Sequence, residues 1–405
     1  MFPQILFFLF LGVFTGFITG LIPGLHPNTV FILSLSLPFL LPENQIIYSL
    51  VFIVSLSISN TFTDFIPTII FGAPEPDSCL SVLPSHKLLL QGKGYEALFL
   101  TTLGGFGVTI LTILTLPLLI FSLPHLYTLL SPVLHFILVF IAIWMIVSEK
   151  NKMMAFLSFL LSGLFGLISL HSLPSQTSVF PALTGLFGAS ALLITLKTKP
   201  FIPEQKTETA KENHTKGILT GWLAGFFAGL FPGIGSAQSG IIASQILKAR
   251  RKDFITAIGG INTANIFFTF VVFYTLNKTR SGAAWIISQI TTLVSPADLL
   301  LITLTAAITC FLSVILTLKT GKYIVKKAYT INYTKLNTLT LLLISLLVFL
   351  FTGFIGLFIM LIGTLLGIFT ILSGIKRTHL MGFLLVPTIV YFSGLNPVFF
   401  SFSGI

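Results

Sequence analysis

Long apolar runs recur along the whole chain, and they are continuous rather than alternating, the pattern of membrane-spanning helices and not of a membrane barrel. The first run, residues 3–22, is stopped by Pro23-Gly24, and the next apolar piece, 29–41, is too short to span alone. Together 3–41 predict a broken helix or re-entrant hairpin, closed by a turn at Pro42-Glu43-Asn44-Gln45. A helix is predicted from Ile46 to about Asp64, then irregular Pro-rich backbone over 66–84 and an interfacial stretch over 85–97. Helices follow at about 97–120, 125–147, 153–172 and 178–197. After a polar stretch the pattern restarts with an apolar run at 217–233 and a short piece at 236–248. A helix at about 253–276, an apolar piece to about 294, and helices at about 297–318, 336–352, 353–374 and 379–395 complete the chain. The expected fold is therefore an all-α, polytopic membrane protein with about 10–12 membrane segments, some of them broken.

The restart is a repeat. Gly12, Gly16, Gly20 and Pro23-Gly24 recur 209 residues later as Gly221, Gly225, Gly229 and Pro232-Gly233. Asn60-Thr-Phe62 matches Asn265-Ile-Phe267 at an offset of 205, so the intervening turn differs by four residues. The expected organisation is a first membrane half, 1–197 (repeat over about 10–110), a polar linker, 198–216, and a second half, 217–405 (repeat over about 217–290). The first turn, Pro42–Gln45, has no Lys or Arg, whereas its counterpart, Lys248–Lys252, is the densest basic cluster of the chain. Lys and Arg collect in cytoplasmic loops, so the two repeats are expected to be inverted, as in many secondary transporters.

Composition sharpens this picture. Charged residues make up 8% of the 405, against roughly a quarter in soluble domains. The N-terminus lacks a basic region and a small-residue cleavage site, so it is expected to be a membrane segment rather than a signal peptide. The net charge of +11 matches basic cytoplasmic loops, and no loop is long enough for a folded nucleic-acid-binding domain. Two isolated cysteines and scattered histidines offer no metal spacing, and no Walker motif is present. An enzyme is not expected, and no cofactor other than a coupling Na+ or H+.

Glycine every fourth residue most simply serves close helix packing. The Pro-Gly breaks differ, because each strands backbone groups that are costly in lipid. Matching breaks in two halves point to a binding site whose half-helix N-termini suit an anion. Candidate substrate-binding residues are Pro23, Gly24, His26, Asn28, Thr29 and Asn60 in the first half. In the second half they are Pro232, Gly233, Gly235, Ser236, Gln238, Asn262 and Asn265. For the asparagines, helix–helix hydrogen bonding is an equal alternative. Asp64 is the candidate for ion coupling, with a solvated helix end as the alternative.

The segment Pro23-Gly24-Leu25-His26-Pro27, the run Gly92-Lys-Gly-Tyr-Glu-Ala-Leu98, and Pro232-Gly-Ile-Gly235 with Gly259–Asn265 resemble the tripartite tricarboxylate transporter family. The similarity is to its large membrane subunit, in a divergent branch. The resemblance implies an ion-gradient-driven carboxylate importer in the cell membrane. It also implies a small membrane subunit and an extracytoplasmic binding protein as partners. The expected function is thus a secondary transporter of a small organic anion by alternating access, in contact with membrane lipid and not nucleic acid. A polyprenyl-phosphate translocase is the alternative. Free histidine changes charge near neutral pH, and for His26 a hydrogen-bonded neighbour is the alternative to a site role; a role in proton coupling predicts that His26→Gln abolishes the pH dependence of uptake, and an unchanged pH profile excludes that role.

Overall fold

The computed structural model describes residues 2–22, 46–71, 82–172, 175–198, 203–209, 212–230, 236, 239–240, 243, 251–291, 294–327 and 333–394. Its α-helices are α1 (Phe2–Leu21), α2 (Ile46–Thr63), α3 (Phe65–Phe71), α4 (Val82–Leu90), α5 (Gly94–Leu130), α6 (Leu134–Val147) and α7 (Lys152–Ser172). They continue with α8 (Ser175–Leu183), α9 (Ser190–Thr198), α10 (Thr215–Leu230), α11 (Arg251–Leu276), α12 (Gly282–Ile290), α13 (Pro296–Lys327), α14 (Tyr333–Leu372) and α15 (Gly382–Phe392). Among the described residues, seven helical stretches are long and apolar enough to cross a membrane. The protein is an all-α polytopic membrane protein.

Two compact units emerge, and each draws on both halves of the sequence. Unit 1 comprises residues 1–124 and 199–336, and unit 2 comprises 125–198 and 337–405. In unit 1 the glycine stripes do what packing in lipid requires. A Cβ on Gly12 would strike Phe52 O and Ser55, one on Gly16 would strike Leu56 O, and one on Gly20 would strike Thr63. The second stripe repeats this on α11, with Gly221 against Ala257, Gly225 against Ala264 and Gly229 against Phe268. The opposite face of α1 exposes Phe7, Phe10 and Phe14, the surface that lipid covers.

These contacts also give helix directions. Contacts along α1 climb α2 in the same sense, and Tyr48 Oη donates to Gln4 Oε1 at 2.5 Å near the start of both helices. Thus α2 begins beside the start of α1, not beside its end. The pair α10 and α11 also advances together, from Gly217 on Asp253 to Gly229 on Phe268. So do α5 and α11: Glu96 meets Lys252, Thr101 meets Gly259 and Gly105 meets Thr263. Against α5, α13 runs the other way, with Gly321 on Leu98 and Val325 near Gly94. Ser55 accepts from Thr309 at 3.2 Å and Ile66 lies near Gly321, so α2 and α13 advance together.

Unit 2 is held by similar means. The Ser158 and Thr370 hydroxyls are hydrogen-bonded at 2.7 Å, and Gly166 lies on the backbone of Phe383. Between α8 and α9 the chain forms a π-helical segment, Thr184–Ala189. Wide π turns disturb the regular carbonyl pairing, and the buried Arg377 guanidinium donates to Phe187 O and stacks 5.3 Å from the Phe187 ring. Burial pushes the Glu149 carboxyl up, but the Lys150 and Lys376 amides, His379 and the Lys376 charge outweigh this and hold it below the usual carboxylate range.

Three sequence expectations change. Two helices were expected at 97–120 and 125–147, but α5 continues through Pro117 and Pro124 to Leu130, as proline-containing membrane helices can. Of the stretch 66–84, expected to be irregular, residues 66–71 are helical, within α3. The helix expected at about 297–318 runs further, since α13 extends to Lys327. The break expected at 352–353 is present inside α14, where Gly353 takes φ 65° and ψ −159°. A Cβ on Gly259 would overlap the Thr101 backbone, and overpacking costs about 1–3 kcal/mol or more. Gly259→Val is therefore expected to lower the melting temperature in detergent by several degrees, while Phe14→Ala, at a lipid-facing position, leaves it within a degree or two.

Candidate functional site

In unit 1, α2 is buried on nearly all sides although it is rich in Ser and Thr. Three of its hydroxyls bond back to their own helix: Ser57 to Ile53 O at 2.7 Å, Thr61 to Ile58 O at 2.8 Å and Thr63 to Ser59 O at 3.1 Å. Such back-bonding hides a hydroxyl inside an apolar bundle. Others reach across to a neighbouring helix, as Ser59 does to Val13 O at 2.9 Å, and asparagine and aspartate add further bonds between helices.

Asp64 lies at the join of α2 and α3 and is only 2% exposed, so it is not a solvated helix end. Its N–H still reaches Asn60 O at 3.0 Å, and its carbonyl accepts from the Thr68 hydroxyl at 2.8 Å. Asn262, from the second half of the chain, donates through Nδ2 to Asp64 Oδ2 at 2.8 Å and more weakly to Thr61 O at 3.5 Å. Beside it the hydroxyls of Thr61 and Thr263 meet at 3.1 Å. Across α1, α2 and α3, Asp64 is the one acidic side chain.

The repeat-related asparagines behave alike. Asn60 Nδ2 donates to Thr19 Oγ1 at 3.1 Å, four residues before Pro23. Asn265 Nδ2 donates to Ser236 Oγ at 3.3 Å, four residues after Pro232. Each therefore braces the chain next to a Pro-Gly break, one on the upstream side and the other on the downstream side. Ser236 and Ser239 are both buried, and the Ser239 hydroxyl has no hydrogen-bond partner among the described residues.

Of the residues singled out from the sequence, the structure brings Asn60, Asp64 and Asn262 into one buried cluster and sets Ser236 and Asn265 together. Pro23, Gly24, His26, Asn28, Thr29, Pro232, Gly233, Gly235 and Gln238 lie outside the described residues. Sequence reasoning missed Thr19, and left Thr61 unremarked within the Asn60 match. Hydroxyls of this kind are numerous in the apolar segments, and nothing local distinguishes the ones that bridge helices. Among the described residues no group of three or more His, Cys, Asp or Glu side chains could hold a metal. The cluster instead offers one carboxylate, amides and hydroxyls in a dry setting, the donor set for a proton or a hard monovalent cation.

Removing the amide alone should cost more than removing both partners, because a buried acceptor deprived of its donor carries a desolvation penalty of about 1–3 kcal/mol. Asn262→Leu is thus expected to lower thermal stability clearly, and Asp64→Leu with Asn262→Leu to recover much of the loss, as read from a double-mutant melting series.

The family model described as the tripartite tricarboxylate transporter TctA family matches residues 6–382. An uncharacterized protein of Methanocaldococcus jannaschii is 30% identical over 404 residues, covering 96% of this chain and 98% of that protein. No solved structure matches. The family match spans most of the chain, and the chain therefore belongs to the TctA family of tripartite tricarboxylate transporters, a family of transporters and not of enzymes.

Proposed function

We propose that the protein is a secondary active transporter that carries a small organic anion of the carboxylate class, tricarboxylates included, across the cell membrane by alternating access. The observation that carries the reading is the Asp64–Asn262 bond at 2.8 Å, which puts a buried carboxylate of one repeat in the grip of the other. Intramembrane carboxylates are expensive and mark proton or cation paths. In this reading Asp64 takes the coupling Na+ or H+. The Pro-Gly breaks, with His26, Asn28, Thr29, Gly235 and Gln238 beside them, bind the anion through half-helix N-termini. Asn60, Asn265 and Ser236 brace those breaks.

Inverted repeats are supported by the helix directions. The first repeat pair, α1 and α2, runs with α13; the second, α10 and α11, runs with α5; and α5 runs against α13. The basic residues Lys206, Lys216, Arg251, Lys252, Lys322, Lys326 and Lys327 belong to the linker and to the starts of α10 and α11 and the end of α13. That end is assigned to the cytoplasm by the positive-inside rule. A small membrane subunit and an extracytoplasmic binding protein are proposed partners, on family membership.

Purified protein in proteoliposomes should take up a labelled carboxylate from a panel of mono-, di- and tricarboxylates under an imposed Na+ or pH gradient. Asp64→Asn should cut gradient-driven uptake by about 100-fold or more while leaving the protein folded by size-exclusion profile. Absence of flux under any gradient, together with movement of a polyprenyl phosphate between leaflets, would replace this reading with lipid translocation.

A further inference from the structure

The polar linker is tightly engaged. Gln205 is buried and fills the turn between α4 and α5. Its Oε1 accepts from Gly94 N–H at 2.9 Å, and its Nε2 donates to Leu89 O at 2.9 Å and Pro203 O at 2.7 Å. One side chain thereby satisfies a carbonyl at the end of α4 and an N–H at the start of α5, groups that helix ends leave without partners. The Lys206 N–H adds a bond to Gly92 O at 2.8 Å, and Gly92 turns with φ 75°, a conformation suited to glycine.

The same turn receives α11. Lys252 Nζ lies 2.8 Å from the buried Glu96 carboxylate and 2.5 Å from Glu212 of the linker. Its bond to Glu212 holds that carboxyl below the usual range. The next residue, Asp253, is bonded to His214 Nδ1 at 3.0 Å. The outer pair to Glu212 is exposed, and such pairs contribute under about 1 kcal/mol. The inner one is different, because a buried Glu96 stripped of Lys252 would be an uncompensated charge. Farther along the same two helices, Gly104 lies on Thr256 O and Gly260 N, and Gly259 lies on Thr101 O, so their backbones touch.

We infer that linker residues 203–209 and 212–214 form a clasp that, with the α5–α11 crossing, keeps the first-half and second-half helices of unit 1 locked together throughout transport, with Lys252 as the positioning residue. The inference rests on the transport reading above and adds that the two repeats do not rock against each other at α5 and α11. Asn262 and Asn265, one and two turns beyond the crossing on α11, then hold a fixed relation to α5, and movement falls to segments outside the clasp. The run Gly92–Leu98 acquires a role at the same time: it is the seat of the clasp and not a substrate contact.

The test joins α5 to α11 covalently. In a background with Cys79→Ser and Cys310→Ala, the Glu96→Cys/Lys252→Cys protein is bridged by a reducible bifunctional thiol reagent and assayed before and after reduction. Uptake within about twofold in the two states supports the clasp; a drop of tenfold or more that reduction reverses overturns it. Hydrogen exchange on the full chain in nanodiscs gives an arm that needs no substrate. Residues 96–108 and 252–263 should exchange at a common slow rate, and Lys252→Met should speed both. Opening of one segment tenfold faster than the other overturns the clasp. Should the unbridged protein move no carboxylate, the transport reading falls, and the exchange rates judge the clasp on their own.

Discussion

Unit 1 depends on the contact of helix backbones where α5 crosses α11. Lipid offers no hydrophobic drive for helices to associate, so close van der Waals contact must supply it. Glycines at 104, 259 and 260 bring carbonyl oxygens of one helix against the backbone of the other. Any side chain there would push the helices apart. The Thr61–Thr263 and Asp64–Asn262 bonds lie within a turn or so of this crossing and exist because of it. Asp64 and Asn262 come from opposite halves of the chain, so only this packing introduces them.

A second principle sorts the polar residues. In a dry interior each donor and acceptor needs a partner, and hydroxyls find one on their own helix, as Ser57 does, or on the next, as Ser59 does. That lets α2 carry many Ser and Thr residues while fully enclosed. Carboxylates and amides reach further, and in unit 1 they link the halves or brace the breaks. The same rule explains Gln205 at the α4–α5 turn and, in unit 2, Arg377 at the π segment: each meets backbone groups that irregular or terminal helix leaves exposed.

The repeat is physical as well as textual. Matching glycines meet matching stretches of the next helix, and matching asparagines each bond a hydroxyl four residues from a Pro-Gly pair. Yet the matches are not copies. Asn60 holds a hydroxyl ahead of its break and Asn265 holds one behind it, and Asp64 has Thr269 as its counterpart at the same offset. A single carboxylate in an otherwise paired arrangement gives the two halves different chemistry on similar backbones.

The sequence by itself determined the class, the helices and the internal repeat, because apolar run length, glycine spacing and Pro-Gly breaks act locally. The ends of α2 and α11 and the break at Gly353 were legible for that reason. It also singled out Asn60, Asp64, Asn262 and Asn265, since polar groups are conspicuous in apolar segments. Only the tertiary structure decided which of them meet. It paired Asp64 with Asn262 across the two halves, ran α5 unbroken past Pro117 and Pro124, and seated Gln205, Glu212 and His214 on helix ends remote in sequence. The reason is that a hydrogen bond between helices depends on their direction and crossing point, and those follow from the summed contacts of whole helices, which no local pattern records.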